Sequence, residues 1–159
     1  NIEMDPNLKG ITKEDLDEQF ELSNKIMEKT SAANETVIKI RDIKKQLHDA
    51  KEDIEATDYE TIVTPFLGEI TEVEEALYQV KNQSGQDPLN FPIKLNNRLA
   101  SLRRSVESGE AKPTNGAYKV YEELSAELTI ELNKLNGIFD KYKSKINPIL
   151  IKSGGTAID

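Results

Sequence analysis

The chain contains no cysteine and a single histidine, His48, among its 159 residues. Without thiols there is neither a disulfide framework nor a thiolate metal site, and the redox compartment cannot be read from bridges. With one histidine, the Glu-x-x-His pairs that hold two metals in a helical bundle cannot form, and the residue three before His48 is Lys45. No apolar run approaches the roughly 18 residues that would cross a bilayer. A Gly-rich phosphate loop, a Gly-x-Ser-x-Gly elbow and a His-Glu-x-x-His pair are all missing, and no serine or threonine has a base near it in sequence. Basic residues are in the minority, 21 against 29 acidic ones for a net charge of -8. That balance opposes nucleic acid and anionic membrane surfaces as partners.

What the chain does have is a seven-residue beat. Ile26, Ala33, Ile40, Leu47 and Ile54 recur at heptad spacing, with Leu22, Val37, Ile43 and Ala50 on the same side. The pattern returns at Phe66, Ile70, Val73, Leu77 and Val80, then at Leu95, Leu99, Leu102 and Val106. It returns a last time through Ala117, Tyr121, Leu124, Leu128, Leu132, Leu135, Phe139, Tyr142 and Ile146. Four stripes of this kind bury themselves against one another, and no segment alternates as a strand would. The expected fold is all-α, an up-down-up-down four-helix bundle with one long N-terminal helix.

The helices are expected at about 13–56, 58–82, 91–108 and 115–146 within a single domain spanning 1–159. Thr12 is the expected cap of the first, with Glu14 and Asp15 against the positive end of its dipole. Asp58 is the expected cap of the second. Pro65 demands a kink near Ile62 or a fresh start from Thr64. Gln83–Asn90 reads as a connection, Asn90 as the cap before Phe91 and Pro92, and Asn147-Pro148 as the close of the last helix, with a frayed tail after Ile151. Helices one and four should project beyond the two shorter ones unless the Pro65 bend or the N-terminal segment covers the excess. Asn1–Ile11 reads as an extended lead-in packed through Ile2, Met4 or Leu8. It lacks a basic start and an apolar stretch, so the chain reads as a piece excised from a larger protein.

Each candidate for chemistry has a plainer reading. His48 reads as a surface histidine. The acids Glu14, Asp15, Asp17 and Glu18, or Glu72, Glu74 and Glu75, could supply a glycosidase pair only if two faced one another across a sugar. Interleaved with Lys13, Lys25, Lys29 and Lys81, they are expected on solvated faces, where nothing desolvates them. Lys94, Arg98, Arg103 and Arg104 form the one notable basic cluster. It could dock an acidic partner, but pairing with acids of a neighbouring helix is the favoured expectation. Phe20, Phe66, Tyr121, Phe139 and Tyr142 sit at core spacing, leaving Tyr59, Tyr78 and Tyr118 less defined. No catalytic, cofactor-binding or metal-binding residue is assigned.

Three stretches carry a resemblance. They are Asp5-Pro6-Asn7-Leu8 with Ile11–Phe20, Val37–Leu47, and Pro92–Leu102 with Lys112-Pro113-Thr114. Together they resemble the C-terminal helical region of exported sortilin-like, BNR-repeat proteins, which carry β-propeller repeats and are often labelled glycosyl hydrolases. The resemblance implies a non-catalytic accessory or interaction domain of a larger secreted or periplasmic propeller protein. Its expected partner is the N-terminal propeller of the parent chain or another protein. The alternative it implies is a part of a glycoside hydrolase that shapes the catalytic site of its parent. Excess length in the first helix adds a possible homo-oligomer.

Overall fold

The computed structural model describes residues 10–81 and 90–159. The expectations for Ile2, Met4 and Leu8, and for most of the connection before Asn90, fall on residues 1–9 and 82–89, outside the described residues. Those described form an all-α helical bundle without a strand among them. None of the helices is long and apolar enough to cross a membrane.

Helix α1 spans Lys13–Asp49. The Thr12 hydroxyl accepts the Asp15 N–H at 3.1 Å while the Asp15 carboxylate accepts the Thr12 N–H at 3.0 Å, a reciprocal capping box. The helix stops seven residues short of the expected Ala56. Asp49, Glu52 and Asp53 crowd its C-terminal end, where the dipole is negative and disfavours acids. The chain tightens into a 3₁₀ turn at Lys51–Asp53 and passes through extended Ile54 (φ -99°, ψ 132°). It then starts afresh as α2, Ala56–Asp58, placing Asp58 inside the helix rather than at its cap.

A π-helical turn, Tyr59–Val63, joins α2 to α3, Thr64–Leu77. This is how the Pro65 problem is solved. The Thr64 N–H reaches Tyr59 O, five residues back, so the register shifts one residue ahead of a proline that has no N–H to give. The second rod ends at Leu77 rather than residue 82, because Tyr78 turns extended (φ -136°, ψ 143°) and takes the Arg41 guanidinium on its ring at 4.6 Å. Buried Gln79 then donates to Pro92 O at 2.8 Å. That bond and the preference of Phe91, as the residue before a proline, for extended backbone delay α4 to Leu95–Val106. Asn90 is thus not the cap; Lys94 is the residue before the first turn.

Helix α5 spans Asn115–Lys152 from a Thr114 cap, running straight through Asn147 and Pro148 instead of stopping there. Its end is a Schellman motif: Gly154 sits at φ 76°, its N–H bonds Ile151 O at 3.0 Å, and the Gly155 N–H bonds Leu150 O at 2.8 Å. A Cβ on Gly155 would overlap the Gln46 amide oxygen and come within 3.1 Å of Leu150 O. The tail beyond is not frayed. The Asn147 side chain donates to Ile158 O at 3.0 Å and accepts the Ile158 N–H at 2.8 Å, a two-point clasp that seats Ile158 in the core at 3% exposure.

Contacts along the rods fix the packing. Lys112 and Tyr118 reach Glu18, Lys39 lies over Phe139, and the Thr156 N–H reaches Gln46, so α1 and α5 lie side by side in the same direction. α3 runs against their C-terminal halves, with Glu74 beside Arg41 and Lys44 and Phe66 beside Phe139 and Tyr142. α4 runs against their N-terminal halves, with Asn96 beside Asn34 and Arg98 beside Glu127. The two shorter rods therefore cover the long ones in tandem, and the expected overhang is absent.

The α1 stripe is buried as its spacing requires: Leu22, Ile26, Ala33, Val37, Ile40, Ile43, Leu47 and Ala50 all face inward. Two members of the expected core do not. Val80 lies past the end of α3, and Phe20 is 68% exposed on the far side of α1.

Candidate functional site

An open groove of about 590 Å³ lies between α1 and α4, lined by Met27, Thr30, Ser31, Ala100, Arg103 and Arg104. Local helix geometry builds it. The small side chain of Ala100 on α4 and Met27 on α1 both line it. Thr30, which also lines the groove, turns its hydroxyl back onto Ile26 O at 2.8 Å.

One end of the groove is closed by a polar network. Ser23 donates to Glu107, and Arg103 Nε donates to the same carboxylate at 2.8 Å and lies 3.3 Å from Ser23 Oγ. Gln19 donates to Val106 O at 2.7 Å and also to Gly109 O, satisfying carbonyls at the end of α4. Hydrogen bonds from Ser23 and from Arg103 hold the Glu107 carboxyl below the usual glutamate range. That carboxylate, accepting from Ser23 of α1 and from Arg103 of its own helix, ties the two helices together at this end of the groove.

The basic cluster is split by the fold. Arg98 Nη1 donates to both carboxylate oxygens of Glu127 of α5, at 2.7 and 2.8 Å, the pairing with a neighbouring helix that was expected. Arg103 pairs within its own helix. Arg104 pairs with no carboxylate among the described residues and faces the groove.

His48 is exposed near the end of α1. The acids do not converge on one another. Asp17 pairs with Lys13, Glu18 with Lys112, and Glu72 with Lys134. Among the described residues no three acids or histidines cluster as metal ligands would. Glu74 departs from its expected solvated face. It is only 5% exposed, between Arg41 Nε and Lys44 Nζ, each at 2.6 Å. Burial pushes its carboxyl up, but the hydrogen bonds from Lys44 and Arg41 outweigh burial, and the net shift is downward. Its position one residue past Val73 in the α3 stripe was the available signal; the two cations from α1 were not foreseeable from spacing.

Of the aromatic residues left undefined, Tyr118 donates to Glu18 at 3.3 Å, Tyr59 lies beneath Lys51, and Tyr78 beneath Arg41. No family model matches the chain, nor does any curated protein or solved structure.

Proposed function

We propose that this chain is a non-catalytic helical interaction module, working through the α1/α4 face, within a larger exported propeller protein. The resemblance alone supplies the propeller parent and the secreted or periplasmic address. The interaction role has a separate support: on a molecule with 31% charged residues, Phe20, Met27 and Ile38 stand exposed on one helix beside an arginine-lined groove. What sets these three apart from the other exposed apolar side chains is that they fall on one line of a single helix, an apolar track that a partner can cover.

Hydroxyl-radical footprinting tests this reading. Phe20, Met27 and Ile38 should react in the dilute purified chain and be protected when the chain is in the extract or culture fluid that contains its partners. Equal reactivity in both settings would overturn it.

A further inference from the structure

We infer that the α1/α4 face is a self-association surface, and that its occupant is a second copy of this chain laid parallel to the first, α1 against α1, about a two-fold axis along the helix. This rests on the reading of that face as a docking surface and names its partner. Phe20, Asn24, Met27, Ser31, Asn34 and Ile38 follow one another at spacings of four, three, four, three and four. That is the a/d pattern of a coiled-coil seam. It is distinct from the buried stripe of α1, and five of its six members are exposed while Asn24 is half-buried. All six are uncharged. The seam runs about 27 Å at the helical rise and is bounded by charged Asp17 on one side and Arg41 on the other. Asn24 falls at an a position, where one polar residue fixes register in parallel pairs.

Charge selects the orientation. On the α5 side of the seam, Glu21, Glu28 and Glu35 form an acidic column at seven-residue spacing, exposed and without an ion pair among the described residues. On the other side stand Arg103 and Arg104 of α4, at the level of Met27, Thr30 and Ser31. A two-fold axis parallel to α1 sets the acidic edge of each copy against the arginine edge of the other, with Glu28 at the level of Arg104. An antiparallel pair, related by an axis across the helix, would set the acidic column against itself, which disfavours it. The apolar seam residues supply affinity, and the rim charges, each weak alone, supply direction.

Sedimentation of the purified chain tests the pairing. Wild type is expected at twice the 17.9 kDa chain mass at about 100 µM and at the chain mass near 100 nM, as suits an interface at the small end of specific ones. Met27→Glu should be monomeric throughout with unchanged helicity, since the side chain points away from the core. Glu28→Arg and Arg104→Glu should each weaken association about tenfold, and the double variant should recover to within about threefold of wild type. Because the chain has no cysteine, Asn24→Cys offers an independent readout. Parallel copies bring the two thiols together and oxidise to a linked dimer, whereas an antiparallel pair keeps them about 15 Å apart. A wild type that stays monomeric at about 100 µM overturns the pairing while leaving the footprint of the face as a separate result. A double variant no better than the singles, or no linked Asn24→Cys dimer, overturns the parallel arrangement.

Discussion

Glu74 is the residue whose surroundings say most about how this bundle tolerates charge. A carboxylate at 5% exposure would be costly alone, but two cations from α1 meet it at 2.6 Å, and both keep part of their surface in water. Removing the carboxylate therefore strands no fully buried cation. Glu74→Gln should cost about 1–3 kcal/mol in urea unfolding at neutral pH, below the 3–5 of a wholly buried pair. The pH dependence follows from the downward shift of this carboxyl. A group whose native pKa lies below its unfolded value stabilises the fold above the unfolded value, about 4.3 for glutamate, and that stabilisation is lost as pH falls through the native one. The gap between wild type and Glu74→Gln should thus be full at pH 7 and close as pH drops below the unfolded value and through the lowered native one; a gap that is constant with pH would contradict the assignment.

At the scale of elements, helical faces were legible in the sequence and helical ends were not. Heptad spacing depends on side chains within one helix, so Leu22 to Leu47 could be assigned from their own chain. Ends were decided by partners from elsewhere. Tyr78 leaves α3 to lie under Arg41, Pro92 is held by Gln79, and Asn147 clasps Ile158 across a Schellman turn. None of these has a signature in neighbouring residues. Phe20 was misplaced for a related reason. It is apolar and helical, but three residues before Ser23 it falls on a second line of α1, whose members include Asn24, Ser31 and Asn34 and so make no apolar stripe. Of the site, the basic cluster could be seen in sequence, whereas the split between paired Arg98 and groove-facing Arg104 needed α5 in place.

Substitutions separate the two lines of α1. Ile40→Ala and Leu47→Ala, both at 0% exposure, should each cost about 2–5 kcal/mol, while Phe20→Ala should cost under about 0.5 in the dilute monomer. Thermal unfolding of the three variants at low concentration checks the contrast. Pro148 offers a gain instead. It sits exposed inside α5 and deprives the Ser144 carbonyl of its helical donor. Pro148→Ala should raise stability by about 1–3 kcal/mol, and Asn147→Ala should lower it by about 1–2 by leaving both Ile158 backbone groups without their partner. A Pro148→Ala chain no more stable than wild type would mean that the tail clasp needs the proline's local distortion.

For the whole molecule, the tandem placement of α3 and α4 divides the bundle into halves of unequal strength. The α3 half contains Phe66 packed on Phe139 and Tyr142 at 6.3 and 5.3 Å, the buried Glu74 triad and the Ile158 clasp. The α4 half relies on a helix of 12 residues, has no comparable aromatic cluster among the described residues, and carries the open groove along its seam with α1. Local opening begins where apolar contact is thinnest. In native-state hydrogen exchange of the dilute chain, amides of α4 should exchange at least tenfold faster than those of α3 around Ile70 and Val73, with α1 and α5 most protected beside α3. The same difference gives self-association a structural consequence, since a second copy seated on α1 and reaching Arg103 and Arg104 closes the weaker half. Protection of α4 should accordingly rise with protein concentration while that of α3 stays level, and in Met27→Glu the rise should disappear. Equal exchange in α3 and α4 in the dilute chain would show that the halves unfold as one cooperative unit and that the groove is no weak seam.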